Sequence, residues 1–212
     1  SAALATAWHV NPGQLKASTS PNEKLNIAAI GTANRAAANI SGCASQNIVA
    51  VADVDANFLD AAGKKYPGSR KYKDFRVLLE KEADKIDAVV VATPDHTHAP
   101  AAAMAMRLGK HTYCEKPLTH TVFEARKLAE LAAENKLVTQ MGSQIHAGEN
   151  YRRVVELVQS GAIGAVKDVH VWVGVNYAGG QLKKAKQPAH VDWDLWLGPT
   201  AKRDYVESTI QG

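Results

Sequence analysis

A doubly wound parallel α/β sheet is the fold the sequence predicts for residues 25–142, and three observations predict it. Short continuous apolar runs recur at Leu25–Ile30, Asn47–Ala52 and Ile86–Ala92, the look of strands buried on both faces. Helix-friendly segments lie between or after them, at Arg35–Ser41, Asn57–Lys65 and Ala99–Leu108. The links are short, and strand–helix alternation with short links means parallel pairing through right-handed crossovers. A Rossmann-type sheet is the natural reading.

Residues 1–23 carry Pro12, Gly13 and a Ser-Thr-Ser-Pro-Asn cluster, and read as an irregular arm. The first domain is then expected over 24–143. Gly31 follows the first strand and opens a turn into the Ala-rich helix. Asp53 ends the second strand, and Pro67-Gly68 stops the helix after it. Lys71–Tyr72 is a minor third strand, and Asp74 can cap a helix through Lys81. Thr93-Pro94 ends the fourth strand, D-A-V-V-V-A from Asp87, and Gly109 ends the helix that follows. His111–Cys114 reads as a fifth strand, Val122–Asn135 as an amphipathic helix opened by Thr121, and Leu137–Met141 as a sixth strand. After Ser143 the character changes, and 144–212 is expected to begin a second α+β domain. Asn150–Ser160 has a helical apolar face, Val166–Val175 alternates as a strand, and Val191–Pro199 sets Trp193 and Trp196 beside two aspartates. One helix, one strand and a loop cannot bury a core alone, so this half must pack on the first or be continued.

The totals are those of an ordinary globular protein: 212 residues, 46% hydrophobic, 22% charged, net charge +4. The basic residues are scattered and form no aromatic-interleaved patch, which argues against nucleic acid as a partner. No stretch approaches the roughly 20 apolar residues of a membrane span. Cys43 and Cys114 provide neither a disulfide framework nor metal spacing, and read as reduced core residues.

The residues that can carry chemistry fall at strand ends. Gly31-Thr32-Ala33-Asn34-Arg35-Ala36 is a strand-to-helix turn whose backbone N–H groups and helix dipole suit a phosphate, with Arg35 as a candidate cation. The dinucleotide fingerprint has glycine at three of these positions. Here Gly31 is the only one; Ala36 is an accepted variant, and Ala33 adds a methyl where backbone should approach a pyrophosphate. Asp53 stands about 20 residues on, where an acid bonds ribose hydroxyls and repels a 2′-phosphate, which favours NAD over NADP. The competing role is a helix cap, which either Asp53 or Asp55 can supply. Thr93-Pro94-Asp95-His96-Thr97-His98 ends the fourth strand. Two histidines two apart need a third convergent ligand to hold a metal, and none is placed by sequence; cofactor-side contacts and capping are preferred. Glu115-Lys116-Pro117 ends the fifth strand. A lysine at a cleft wall can hold a negative group or donate a proton.

Four stretches together resemble the Gfo/Idh/MocA family of NAD(P)-dependent oxidoreductases: A-I-G-T-A-N-R-A at 29–36, V-A-D-V-D at 51–55, A-T-P-D-H-T-H at 92–98 and C-E-K-P-L at 114–118. The resemblance runs from Leu25 to about Pro199. It implies an N-terminal Rossmann domain and a C-terminal α/β domain whose open sheet makes homo-oligomer contacts. It implies hydride transfer between NAD and a hydroxyl carbon of a sugar, polyol or related compound. Lys116 matches the family lysine beside nicotinamide and substrate, and Glu115 its partner on the cofactor side. Gly31, Thr32, Ala33, Asn34, Arg35 and Asp53 match the phosphate and ribose contacts, and Thr93, Pro94 and His98 the strand-four wall.

Two departures accompany the match: Ala33 at the second glycine position, and no D-x-x-x-H of the family's second catalytic element. They keep two other readings in play, an NAD-dependent glycoside hydrolase and a non-catalytic dinucleotide-binding module. The 192–199 stretch, D-W-D-L-W-L-G-P, looks like the exported branch of the family. With the small, apolar Ser1–Ala7 start, it points to a periplasmic or exported protein; the alternative is cytoplasmic.

Overall fold

The strands at Asn26–Ile30, Asn47–Ala52 and Ala88–Val91 carry continuous apolar residues because both faces of the sheet are covered at its centre. The structure, a computed structural model, describes residues 23–146, 148–172, 174 and 183–207. The predicted arm, apart from Glu23, lies outside those residues. Six strands form one parallel sheet: β1 (Asn26–Ile30), β2 (Asn47–Ala52), β3 (Arg70–Tyr72), β4 (Ala88–Val91), β5 (His111–Glu115) and β6 (Thr139–Gly142). Their order is β3-β2-β1-β4-β5-β6, so the winding reverses between β1 and β4. That reversal opens a crevice at the carboxyl ends of the strands.

Successive side chains point to opposite faces, and the two cores divide accordingly. Ala28, Ile30, Ala50, Ala52, Val89 and Val91 face α3 (Phe75–Glu82), α4 (His98–Arg107) and α5 (Val122–Glu134), packing on Leu78, Leu79, Ala102, Met106 and Leu128. Ala29 and Val51 face α1 (Arg35–Gly42) and α2 (Ala56–Lys65), packing on Ile40, Leu59 and Ala62. The small alanines of α4 let that helix lie close over the sheet; Ala101 and Ala105 are fully buried.

The local stop and start signals explain the boundaries. Thr121 and Glu124 form a reciprocal capping box at α5. Asp55 caps α2, its Oδ1 accepting from the N–H groups of Asn57 and Phe58. That resolves the choice left open by sequence: Asp55 is the cap, and Asp53 is not.

The second half departs from expectation. The predicted Asn150–Ser160 helix is present as α6 (Glu149–Gln159), but it buries none of its residues. The strand expected over Val166–Val175 is not formed over its described residues 166–172; Val169, Val171 and Trp172 are exposed. Alternation makes a strand only where a neighbouring strand accepts its ladder of hydrogen bonds, and no described residue does so here. A short helix, α7 (Trp193–Leu197), packs back onto the sheet's crevice.

Candidate functional site

Four loops meet at the crevice, those after β1, β2, β4 and β5, each following a strand whose direction is fixed by the sheet. The β1–α1 turn begins at Gly31, whose φ is +88° and whose missing side chain lets Ala92 O approach: a Cβ there would collide with that carbonyl. Asn34, the residue before α1, also has positive φ (50°, with ψ −117°), a conformation costly for a residue with a Cβ. No side chain caps α1. Ala37 N–H in its first turn donates to Ala33 O (3.4 Å), no side chain takes the N–H groups before it, and the helix dipole there favours a negative acceptor.

Asp53 is held in place by this turn. Its Oδ2 accepts from Thr32 N–H (2.9 Å) and Thr32 Oγ1–H (2.8 Å), and its Oδ1 from Asp55 N–H (3.0 Å). Burial pushes the Asp53 carboxyl above the usual range, and these hydrogen bonds work against that. A carboxylate offers about four acceptor positions, so one remains for an incoming hydroxyl.

Glu115, 3% exposed at the end of β5, gathers Arg35 (3.0 Å), Asn39 (3.0 Å), Tyr113 (3.2 Å) and the N–H of Lys116 (3.1 Å). Burial raises its carboxyl, but the donors outweigh burial and hold it below the usual range. Gly142 on β6 leaves room for it, since a Cβ there would lie 2.8 Å from Glu115 Oε1. Arg35, nominated as a cation for phosphate, pairs through its Nε with Glu115 and keeps about half of its side chain exposed at the cavity. A buried carboxylate needs a charged partner, and Arg35 on the first turn of α1 is within reach of it.

His98 ties the remaining two loops. Its Nδ1 faces Pro117 O and its Nε2 faces Thr93 O, each at 2.7 Å, and the ring is 1% exposed. The peptide bond between Lys116 and Pro117 is cis. Lys116 itself projects into solvent at the cavity wall, and its ammonium forms no ion pair with another described residue. His96, which sequence set beside His98 as a candidate ligand, is bonded elsewhere: its Nε2 lies 2.8 Å from Trp196 O.

One cavity of about 470 Å³ runs along these loops. Gly31, Thr32, Ala33, Asn34, Arg35, Asp53, Thr93, Pro94, His98, Glu115 and Lys116, the residues nominated from sequence, all line it. Sequence reasoning did not nominate Phe58, Lys73 and Phe75 at the Asp53 end, or Val191, Leu195 and Trp196 from the second half. Lys73 and Phe75 follow directly after β3, so their place at a strand end was available as a signal, while Phe58 lies in the first turn of α2. The last three are brought in by tertiary packing and had none.

Cys114 takes no part, being 1% exposed with its thiol pushed up to about 12 by burial. No helix among the described residues is long and apolar enough to cross a membrane.

A doubly wound sheet with an uncapped helix at its first turn and an acid at the end of its second strand is a dinucleotide-binding domain in its architecture. The comparisons give the class a family. The sequence model of an oxidoreductase family with an NAD-binding Rossmann fold, GFO_IDH_MocA, matches residues 25–143, and the chain belongs to that family. Among curated relatives it is 34% identical over 119 residues to an inositol 2-dehydrogenase of Rubrobacter xylanophilus, covering 56% of this chain and 33% of that one. It is 32% identical over 129 residues to a glycosyl hydrolase family 109 protein of Shewanella pealeana, covering 55% and 27%. Among solved structures it superposes on an NAD binding oxidoreductase from Klebsiella pneumoniae with a TM-score of 0.57 at 27% identity, covering 66% of this chain and 40% of that one. The chain thus spans less than half the length of the relatives it matches.

Proposed function

We propose that this chain carries the cofactor half of an NAD-dependent dehydrogenase acting on a hydroxyl carbon of an inositol, sugar or related polyol. The observation that carries the reading is the single cavity joining the β1–α1 turn, Asp53 and Lys116. Its size lies within the usual 300–1,000 Å³ range of small-molecule sites. The residues fit a dinucleotide: uncapped N–H groups of α1 for a diphosphate, one free acceptor position on Asp53 for a ribose hydroxyl, and an ammonium at the far end. The inositol and sugar names among the relatives support the substrate class.

Bound NAD supplies the hydride acceptor. Lys116 would donate a hydrogen bond to the substrate oxygen and stabilise negative charge there while the hydroxyl proton passes to solvent water, which reaches this exposed wall. Glu115 acts through position: it takes the Lys116 N–H and so fixes where the side chain starts. An acid at Asp53, the residue that would bond the ribose hydroxyls, would repel a 2′-phosphate, which supports NAD over NADP. The second half, 144–212, is proposed as the beginning of a substrate and homo-oligomer domain.

Calorimetric titration with NAD and NADP tests the cofactor reading. Saturable NAD binding with weaker NADP binding is expected; no saturable NAD binding would refute it. One relative's name favours a second reading, NAD-dependent glycoside hydrolysis. Nitrophenol release from a nitrophenyl glycoside without added cofactor would select it, and net NADH formation from a free polyol would select the dehydrogenase.

A further inference from the structure

The segment 190–197 comes from the second half of the chain, yet it is fastened to the first half at two places. At one end Ala56 N–H donates to His190 O (2.8 Å) and Asp192 N–H to Val54 O (2.9 Å), an antiparallel bridge pairing Asp55 with Val191. The ring of His190 adds a contact to Asp55 Oδ2 at 3.0 Å. At the other end Trp196 O meets His96 Nε2 at 2.8 Å. Close packing continues there, since a Cβ at Gly198 would lie 2.8 Å from Thr97 Cγ2. The first anchor is on the loop after β2, the second on the loop after β4. In the sheet, β1 lies between those strands. The segment therefore bridges the two loops that flank the β1–α1 turn.

We propose that this segment is a third wall of the dinucleotide cavity, with Leu195 and Trp196 as cofactor-contact residues. The inference rests on the cavity being a nicotinamide dinucleotide site. Both side chains line the cavity together with Gly31–Arg35, Asp53 and Lys116. Their chemistry complements that side: the turn offers N–H donors for phosphate, while the segment offers an apolar, partly aromatic surface for a ribose or ring face.

The wall is also held rigid before any ligand arrives. The Trp196 indole stacks on Trp193 with centroids 4.7 Å apart and planes 15° apart. Trp193 is buried, and its Nε1–H donates to Arg203 O (2.8 Å). Trp196 thus keeps its face without further ordering, and a side chain already fixed loses little entropy when it binds. A consequence follows for the second half, whose seating on the first is coupled to the cofactor through this wall.

The test is calorimetric titration of the whole chain with NAD, for the wild type, Trp196→Ala, Leu195→Ser and Lys202→Ala. Lys202 is 88% exposed and paired with Asp194, away from the cavity wall. Trp196→Ala and Leu195→Ser are each expected to weaken NAD binding by about tenfold or more, the equivalent of one well-buried contact. Lys202→Ala is expected to leave it unchanged. Trp196→Phe, which keeps a ring at the wall, is expected to restore most of the affinity while removing the part of the NAD-induced fluorescence quench that Trp196 supplies. Circular dichroism identifies any variant that fails to fold, and Leu195→Ser then decides. Wild-type binding matched by both Trp196→Ala and Leu195→Ser would overturn the third wall and leave the cofactor reading standing. A wild type that does not bind NAD would overturn both.

Discussion

Lys116 differs from Glu115 and Arg35 in that its ammonium forms no ion pair with another described residue. Glu115 accepts from several donors, Arg35 gives its Nε–H to Glu115, and Asp53 has three of its acceptor positions filled. An ammonium at the end of β5, beside the His98-tied loops, can meet a reacting oxygen. Lys116→Ala is therefore expected to lower turnover by about 10²-fold or more, the usual range for a proton-handling group, while NAD affinity changes little. Steady-state rates beside a cofactor titration separate the two effects. Asn34 poses a different question at the same scale. Its positive φ before an uncapped helix concentrates backbone strain at the phosphate turn. Asn34→Val, which adds β-branching there, is expected to destabilise the fold by about 1–3 kcal/mol, whereas Asn34→Gly is expected to be tolerated. Thermal melts of the two variants provide the comparison.

At the scale of elements, buried carboxylates hold pieces of the sheet together. Glu82 at the end of α3 is 2% exposed and receives Arg70 and Tyr72 of β3 as well as Lys85 (3.3 Å). Burial works to raise its carboxyl, but Arg70, Tyr72 and Lys85 prevail and bring it to about 2. A folded-state value below the unfolded one contributes stability that is complete above the unfolded value of about 4.3. That contribution is lost as pH falls from there toward about 2. The β3–α3 corner is thus expected to loosen first in acid, and hydrogen exchange at Arg70–Tyr72 measured between pH 5 and pH 2 follows it. In Glu82→Gln, the pH-dependent part over that window is expected to shrink, with lower stability at neutral pH. His98 does comparable work without a carboxylate, joining the ends of β4 and β5 through Thr93 O and Pro117 O.

For the whole molecule, the two halves differ in how much of themselves they bury. The sheet hides its apolar residues on both faces. The second half leaves Val154, Val155, Leu157 and Val158 of α6 exposed, together with Val166, Val169, Val171 and Trp172. The exposed apolar side of α6 is of the kind that marks a contact region rather than a solvated face. Association of the chain at micromolar concentration is expected, and Val154→Glu with Val158→Glu is expected to shift it toward monomer. Sedimentation velocity across a concentration series measures both.

The order of strands and helices, the depth of the sheet and the strand ends where chemistry gathers were written in the sequence. They follow from local pattern: short apolar runs bounded by turn residues read as doubly buried strands, Gly31 and Asp53 stand at the ends of two of them, and Lys116 follows the strand at His111–Glu115. Sequence left unresolved which aspartate caps α2, what Arg35 pairs with, and which residues of the second half reach the cavity. Those depend on groups far apart in the chain, such as Glu115 for Arg35 and Val54 for Asp192, and only folding makes them neighbours. The failed strand at 166–172 has the same origin. Alternation states which face a segment would bury, but pairing requires a partner edge, and that is a property of the assembled sheet.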